Sequence, residues 1–235
     1  MKTVAVIALK GGSGKTTVAT HLALAAYRRG VDVLVVDVDP QHSAKDVLSS
    51  REEPGPDCVV STGPQLLSAK FAAVGLKKEL MIIDTPAALV EEVGEALVLA
   101  DYAVMVVRPT LLDIAGLVRT FQVVKKMGKP CCVVINQAPA AREGVEAPMV
   151  KRALRGLEYM QAPIAPAILR ARTIYQTALE RGWSAEELPD RAARHEVAAL
   201  WKFVQAEIGG TAGDEDLTED LDEATAALDA LRPGA

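Results

Sequence analysis

A glycine-rich segment near the N-terminus brings together residue types that bind phosphate. It reads Lys10-Gly11-Gly12-Ser13-Gly14-Lys15-Thr16-Thr17. Glycines allow successive backbone N–H groups to turn toward one anion, and a helix that follows directs its positive end to the same point. In such loops the lysine contacts the β- and γ-phosphates and the next hydroxyl binds Mg²⁺, which predicts these roles for Lys15 and Thr16. The strict pattern requires glycine where this chain has Leu9, and an additional lysine, Lys10, opens the segment.

Further polar residues follow short apolar runs elsewhere in the chain: Asp37, Asp39, Asp84 and Asn136. The runs cover residues 4–9, 33–36, 80–83, 103–107 and 131–135. Their continuous Val, Ile and Leu are typical of parallel strands that are buried on both faces. Because the carboxyl ends of parallel strands meet at one edge of a sheet, these polar residues and Lys10 are expected to share that edge.

Helical patterns separate the predicted strands. The predicted helices cover residues 16–29, 90–99, 111–127, 148–157, 173–181 and 193–208, with a loop at 49–57 and a short strand near 164–168. Strands that alternate with helices predict a doubly wound α/β fold, in which a mostly parallel sheet has helices on both faces. We expect one such domain over residues 1–208, followed by a short C-terminal tail at 209–235.

Composition agrees with one domain and leaves nucleic acid open as a partner. The chain has 235 residues, of which 50% are hydrophobic and only 4% aromatic, so its core should be aliphatic. The net charge is −5, but residues 209–235 hold eight acids and one base, and residues 1–208 hold 23 acids and 25 bases. No uncharged run approaches the roughly 18 residues of a membrane span, and the three cysteines fit no metal-binding spacing. A cytoplasmic protein without a membrane partner is expected.

Several of these motifs resemble those of one family, the ParA/MinD ATPases. Residues 10–17 are similar to the family's deviant phosphate loop, and 37–41 to its first switch. Residues 81–86 resemble its Walker B strand and second switch, and 108–113 and 133–136 also match. The matching motifs cover about residues 1–136, and residues 160–182 are more weakly similar. Because the chain begins at the first strand, it resembles the short ParA-type proteins that have no N-terminal DNA-binding domain.

The resemblance implies a catalytic set of Lys10, Lys15 and Asp39. Lys10 corresponds to the family's signature lysine, which crosses the interface of a nucleotide-sandwich dimer to the partner's phosphates. A second cation there would stabilise the charge that develops in phosphoryl transfer, and its supply by the partner would couple hydrolysis to dimerisation. Asp39 matches the aspartate of the first switch that positions the attacking water.

The resemblance also implies how Mg²⁺ and the base would be held. Thr16, Asp37 and Asp84 would order the Mg²⁺ shell, with Asp84 acting through a water molecule. Asn136 matches the residue that reads the adenine edge, because a carboxamide can pair with adenine through two hydrogen bonds. Each residue has an ordinary alternative: Asp37 or Asp39 could cap a helix, and Asn136 could simply end a strand.

The function that the resemblance implies is ParA-type positioning. ATP and Mg²⁺ would support a homodimer that binds DNA non-specifically, and slow hydrolysis, stimulated by a partner or cargo adaptor, would release it. The cargo would be a plasmid, a chromosome locus or a protein assembly, and the protein would lie on the nucleoid. The alternative is a metabolic ATP-dependent ligase or synthetase on the same fold without DNA binding. It would need a catalytic residue outside the nucleotide site, and the sequence offers no convincing one.

Basic residues on the predicted helices of the C-terminal third are the candidates for DNA contact. They are Arg152, Arg155, Arg191, Arg194 and Lys202. Their near-helical spacing could place them against phosphates without any reading of bases. Surface helices ordinarily carry Lys and Arg, so a solvated face is the alternative interpretation.

The tail combines acids with an apolar repeat. Leucine and alanine recur at helical spacing, at Leu217, Leu221, Ala224, Leu228 and Leu231. This pattern predicts a short amphipathic helix, and a disordered tail with chance leucines is the alternative. The membrane-binding helix of MinD-type proteins should be basic, so the acids here argue against that relative.

Overall fold

A computed structural model describes residues 1–87 and 93–209 of the chain. Residues 88–92 and 210–235 lie outside the described residues, and they include the start of the predicted helix at 90–99 and nearly all of the predicted tail. The described part contains one six-stranded sheet with helices on both faces. Within these described residues, no helix has the length and hydrophobicity of a transmembrane segment.

Every pair of neighbouring strands in this sheet is parallel. The strands are β1 (Lys2–Ala8), β2 (Val33–Asp37), β3 (Asp57–Val60), β4 (Leu80–Ala87), β5 (Tyr102–Val107) and β6 (Cys131–Ile135). Their order across the sheet is β3-β2-β4-β1-β5-β6. β1 therefore lies between β4 and β5, where the winding reverses and a crevice opens at the carboxyl ends. The predicted doubly wound fold is confirmed.

Helices cover the two faces of the sheet, and alternate apolar residues of each buried strand pack against the helices on opposite faces. They are α1 (Lys15–Arg28), α2 (Ser43–Ser49), α3 (Leu66–Gly75), α4 (Gly94–Leu99), α5 (Leu111–Lys126), α6 (Pro148–Tyr159), α7 (Thr173–Leu179) and α8 (Arg191–Glu207). Val4 and Val6 of β1 pack with residues of α1 and α8, whereas Ala5 and Ile7 pack with residues of α5 and α6. This is the period-two alternation of a strand buried on both sides.

The region between β2 and β4 differs from the prediction. The sequence pattern predicts only a loop at 49–57 there, but α2 precedes this loop, and β3 and α3 follow it. β3 is a short edge strand, and its Val59 and Val60 are exposed. In α3 the side chains of Leu67 and Phe71 are exposed as well, so apolar residues occur on both the buried and the solvent side of the helix. An amphipathic stripe, the signal that predicts a surface helix, is therefore missing from this sequence.

The predicted short strand at 164–168 is also wrong. This segment runs beside β6 but makes only an isolated bridge, between Val133 and Ile164. Proline has no backbone N–H, and Pro163 and Pro166 interrupt the donors that a sixth parallel pairing would need. The chain pairs again only after residue 168, where Leu169 N donates to the Ile135 carbonyl (2.9 Å).

Candidate nucleotide site

The glycine-rich segment forms the loop between β1 and α1. β1 ends at Ala8 and α1 begins at Lys15, which is the strand–loop–helix order that a phosphate loop requires. Gly12 and Gly14 have positive φ angles of 73° and 89°, a conformation that glycine adopts without a steric penalty. Gly14 directly precedes α1, so this turn sets the direction of the helix N-terminus, where an anion would bind.

Two carboxamides that follow β6 hold this loop. Asn136 Nδ2 donates to the Ser13 carbonyl (2.8 Å), and Gln137 Nε2 donates to the Gly12 carbonyl (2.9 Å). Asn136 is buried, so its amide is part of the loop's support, and adenine reading by the same side chain stays a prediction. No sequence motif marks Gln137, and only its position beside Asn136 points to this role.

The support from Asn136 makes Gly14 sensitive to any side chain. A Cβ on Gly14 would overlap Asn136 Nδ2, and the positive φ adds strain for any L-residue. We expect Gly14→Ala to weaken ATP binding at least about tenfold and to lower the free energy of unfolding by ~1–3 kcal/mol. Isothermal titration with ATP and thermal unfolding without nucleotide measure the two effects.

Gly30 offers a matched control for this substitution. It also has a positive φ, of 81°, but nothing lies within 4 Å of the Cβ that a substitution would add. Gly30→Ala should therefore cost only the backbone strain, about 1 kcal/mol, and leave ATP affinity unchanged. Equal ATP affinity in the two variants would contradict the importance of the Asn136 contact.

Thr16 and Asp84 meet at the carboxyl edge of the sheet. Thr16 Oγ1 donates to Asp84 Oδ2 (2.7 Å), and Asp84 Oδ1 is buried without a hydrogen-bond partner within the described part of the chain. Burial raises the pKa of Asp84 to about 7, and the Thr16 hydrogen bond opposes the shift. The predicted pair is thus brought together, with one carboxylate oxygen left for another ligand.

Asp37 and Asp39 lie beside this pair and organise the chain that follows β2. Asp37 is fully buried and is the register partner of Asp84 on the neighbouring strand. Its carboxylate accepts the backbone N–H groups of Asp39 (3.1 Å) and Lys45 (3.0 Å), so it bonds the first turn of α2 as the alternative interpretation expected. Asp39 Oδ1 accepts the backbone N–H of Gln41 (2.9 Å) in a local turn.

The two lysines of the loop have different surroundings. Lys15 is buried; this desolvation lowers its pKa, and the charges of Asp84 and Asp39 oppose the shift. Lys10 is more exposed, with 38% of its side chain accessible, and its Nζ lies 3.3 Å from Asp113 Oδ1 at the start of α5. Arg108 Nε donates to the other oxygen of Asp113 (2.7 Å). Lys15 therefore lies close to the acids inside the protomer, whereas Lys10 lies at the rim of the site, the solvent-exposed edge of the loop.

A cavity of about 360 Å³ lies beside the loop. Thr17, Asn136 and Gln137 form one side of it, and the segment before and within α7 forms the other, including Arg170, Arg172, Thr173, Tyr175 and Gln176. Because it adjoins the N-terminus of α1, its position suits the nucleoside of a nucleotide whose phosphates are held by the loop. No sequence motif predicts that residues 170–176 belong to the site.

A family profile and a curated relative match most of the chain. Residues 4–181 match the CobQ/CobB/MinD/ParA nucleotide-binding domain. The chain is also 34% identical over 214 residues to the maintenance of carboxysome distribution protein A of Gloeobacter kilaueensis, covering 88% of this chain and 94% of that protein. The chain belongs to the ParA/MinD family. The family membership predicted from the motifs is confirmed, and the ParA/MinD ATPase type is established at the level of the family.

Solved structures of ParA/MinD proteins share the fold. Cyanothece apo McdA has a TM-score of 0.73 and 19% identity, with 89% of this chain and 100% of that chain covered. The septum site-determining protein MinD of Pyrococcus horikoshii, complexed with Mg-ADP, has a TM-score of 0.68 and 19% identity, with coverage of 88% and 97%. At this identity the likeness concerns the fold.

The residues of this ParA/MinD chain fit a Mg²⁺ ion. Asp37 and Asp84 are adjacent carboxylates, the buried Asp84 Oδ1 is unpartnered among the described residues, and the Thr16 hydroxyl lies beside it. Hard oxygen ligands of this kind suit Mg²⁺. A bound ion would neutralise phosphate charge. It would also favour the ionised form of Asp84, which burial disfavours.

The basic residues predicted to contact DNA do not form one face of a single ParA/MinD protomer. Arg152 and Arg155 lie exposed on α6, which packs on one side of the sheet, and Arg191 and Arg194 lie exposed on α8, which packs on the other. Lys202 Nζ is buried without a hydrogen-bond partner among the described residues, so its amine is withdrawn from solvent. The arginines remain candidates, and Lys202 is poorly placed for phosphate contact.

Proposed function

We propose that this protein is a ParA-type positioning ATPase. ATP and Mg²⁺ bind at the phosphate loop, two protomers close face to face over the nucleotides, and the dimer binds DNA without sequence preference. Hydrolysis, slow alone and stimulated by a partner protein, separates the dimer and releases the DNA. In this cycle the protein is cytoplasmic, and its ATP-bound dimer is associated with the nucleoid.

The position of Lys10 supports this proposal most directly. The loop already contains a buried lysine, Lys15, close to the acids of its own site. Lys10 stands at the rim, where its pairing with Asp113 leaves over a third of the side chain exposed. A cation at the rim can reach a phosphate presented by a second protomer, which would make hydrolysis depend on dimerisation.

The relative from Gloeobacter favours a protein assembly as cargo. Its name describes the distribution of carboxysomes, and the alignment with this chain covers 94% of its length. Among a plasmid, a chromosome locus and a protein assembly, we therefore propose the third, with an adaptor protein that stimulates hydrolysis at the cargo surface.

DNA binding is proposed to depend on dimerisation through the number of phosphate contacts. A single protomer offers few exposed arginines on α8, such as Arg191 and Arg194. Each contact releases counterions, so log affinity falls with log salt by about 0.9 for every phosphate neutralised. Two protomers double the contacts without any change in the surface itself, and ATP can thereby control DNA affinity.

Charge reversal on α8 tests where this surface lies. We expect Arg191→Glu combined with Arg194→Glu to weaken ATP-dependent binding to any duplex at least about tenfold and to reduce the salt slope by about 0.9 per lost contact. The ATPase rate without DNA should not change, because neither side chain contacts the phosphate loop. Fluorescence anisotropy with a labelled random duplex over a salt series measures both quantities.

A control variant with the same change in charge distinguishes loss of this surface from a general effect of net charge. Lys125 and Lys126 are exposed at the last turn of α5, at the opposite edge of the sheet from the nucleotide. Lys125→Glu with Lys126→Glu should reduce binding much less than the α8 pair. Equal losses in the two variants would indicate a general charge effect, and full affinity in the α8 variant would place the surface elsewhere.

A further inference from the structure

Glu196 on α8 accepts hydrogen bonds from three residues of the segment that walls the cavity. Its Oε2 accepts the backbone N–H of Arg170 (2.9 Å) and the hydroxyl of Tyr175 (2.6 Å). Its Oε1 accepts Arg172 Nε (3.0 Å), and Arg172 Nη2 also lies 2.9 Å from it. The Glu196 side chain is only 12% exposed, so water competes little for these bonds.

The same segment connects Glu196 to the phosphate-loop helix. Arg170, Arg172 and Tyr175 line the 360 Å³ cavity together with Thr17 in the first turn of α1. The Tyr175 ring also meets His21 of α1 edge-on, with 5.2 Å between the ring centroids. The wall of the cavity is therefore held between α8 on one side and α1 on the other.

We propose that Glu196 is a positioning residue for the nucleoside part of the bound nucleotide. The inference rests on the proposed binding of ATP at the phosphate loop. That loop would hold the triphosphate, and its supports are Asn136 and Gln137. The base and ribose would lie against the wall that Glu196 fixes. Glu196 therefore acts on affinity through the nucleoside and leaves the phosphate contacts unchanged.

Glutamine in place of Glu196 disrupts this arrangement in either orientation of its amide. An amide nitrogen at the Oε1 position is a donor that lies against the two donor nitrogens of Arg172, so no hydrogen bond forms there. At the Oε2 position it meets the Arg170 N–H, which is also a donor. The change removes a charge and adds a donor without altering the volume, so the core around α8 is left intact.

The test compares ATP with inorganic tripolyphosphate, which has the phosphates without the nucleoside. We expect Glu196→Gln to bind ATP at least about tenfold more weakly than the wild type by isothermal titration with Mg²⁺, and tripolyphosphate within about twofold. Tyr175→Phe removes one hydrogen bond and should weaken ATP binding about threefold, again with no change for tripolyphosphate. If Glu196→Gln does not fold, Tyr175→Phe carries the test.

Glu186 provides the matched control. It accepts two hydrogen bonds from Arg29 (3.1 and 2.9 Å) at the far end of α1. Glu186→Gln should bind both probes like the wild type. Equal weakening of both probes in Glu196→Gln, or no change in either, would overturn the inference alone. A wild type that binds neither probe would overturn the proposed function together with it.

Discussion

We expect the Asp39→Ala variant to bind ATP as the wild type does and to hydrolyse it at least about 100-fold more slowly, a loss of roughly 2.7 kcal/mol of transition-state stabilisation. Asp39 lies after β2, beside the buried Asp37 and close enough to Lys15 for their charges to interact. The loop and the Thr16–Asp84 pair remain in this variant, so the phosphate and Mg²⁺ contacts persist. The variant loses the carboxylate that we propose positions the attacking water, together with its local hydrogen bond from the Gln41 N–H.

Such a variant should accumulate as the ATP-bound dimer. Phosphate release measures the rate, and size-exclusion chromatography with ATP measures the dimer. Asp46→Ala is a suitable control, because Asp46 is an exposed acid in the first turn of the neighbouring α2. Hydrolysis at the wild-type rate, or a monomer that still binds ATP, would exclude the proposed role of Asp39.

A second large effect is expected at Lys10. Lys10→Ala should keep its affinity for ATP within about threefold, lose ATPase activity at least about 100-fold and dimerise more weakly. The reason is its position: Lys10 Nζ pairs with Asp113 at the rim, whereas Lys15 is buried among the acids of the site.

The partner of Lys10 is ionised at neutral pH. Burial raises the pKa of Asp113, but the cations Arg108 and Lys10 outweigh this effect and hold that pKa below its usual value.

Lys15→Ala supplies the contrast for this variant. It removes the lysine of the phosphate loop itself and should abolish ATP binding. Titration with ATP, followed by sedimentation with and without nucleotide, separates the two variants. If Lys10→Ala also loses ATP binding, Lys10 acts within its own subunit and the face-to-face dimer is wrong.

Local patterns predicted the parts of the site that one segment of sequence encodes by itself. The phosphate loop has its residues side by side, and Asp37 and Asp84 follow continuous apolar strands whose carboxyl ends meet at one edge. The supports of the site could not be predicted in this way. Asn136 reaches Ser13 across 123 positions, and only the folded sheet brings them together.

The missed elements have the same kind of explanation. β3 and α3 lie at an edge where apolar side chains such as Val60 and Phe71 remain exposed, so burial does not produce the usual periodic pattern. Glu196 was only one residue of a predicted helix. Its importance lies in three contacts that α7 and the preceding segment bring to it.

Nucleotide-dependent binding to a random DNA duplex tests the central proposal most directly. A gel-shift titration at low salt should compare the wild type with ATP and Mg²⁺, with ADP and Mg²⁺, and without nucleotide, and Asp39→Ala with ATP. For the wild type we expect retardation only in the sample with ATP and Mg²⁺. Asp39→Ala with ATP should retard the duplex more strongly, and duplexes of unrelated sequence should bind equally. No retardation of any duplex by an ATP-bound protein, even at low salt, would contradict DNA-based positioning and favour a metabolic ATP-dependent enzyme on this fold.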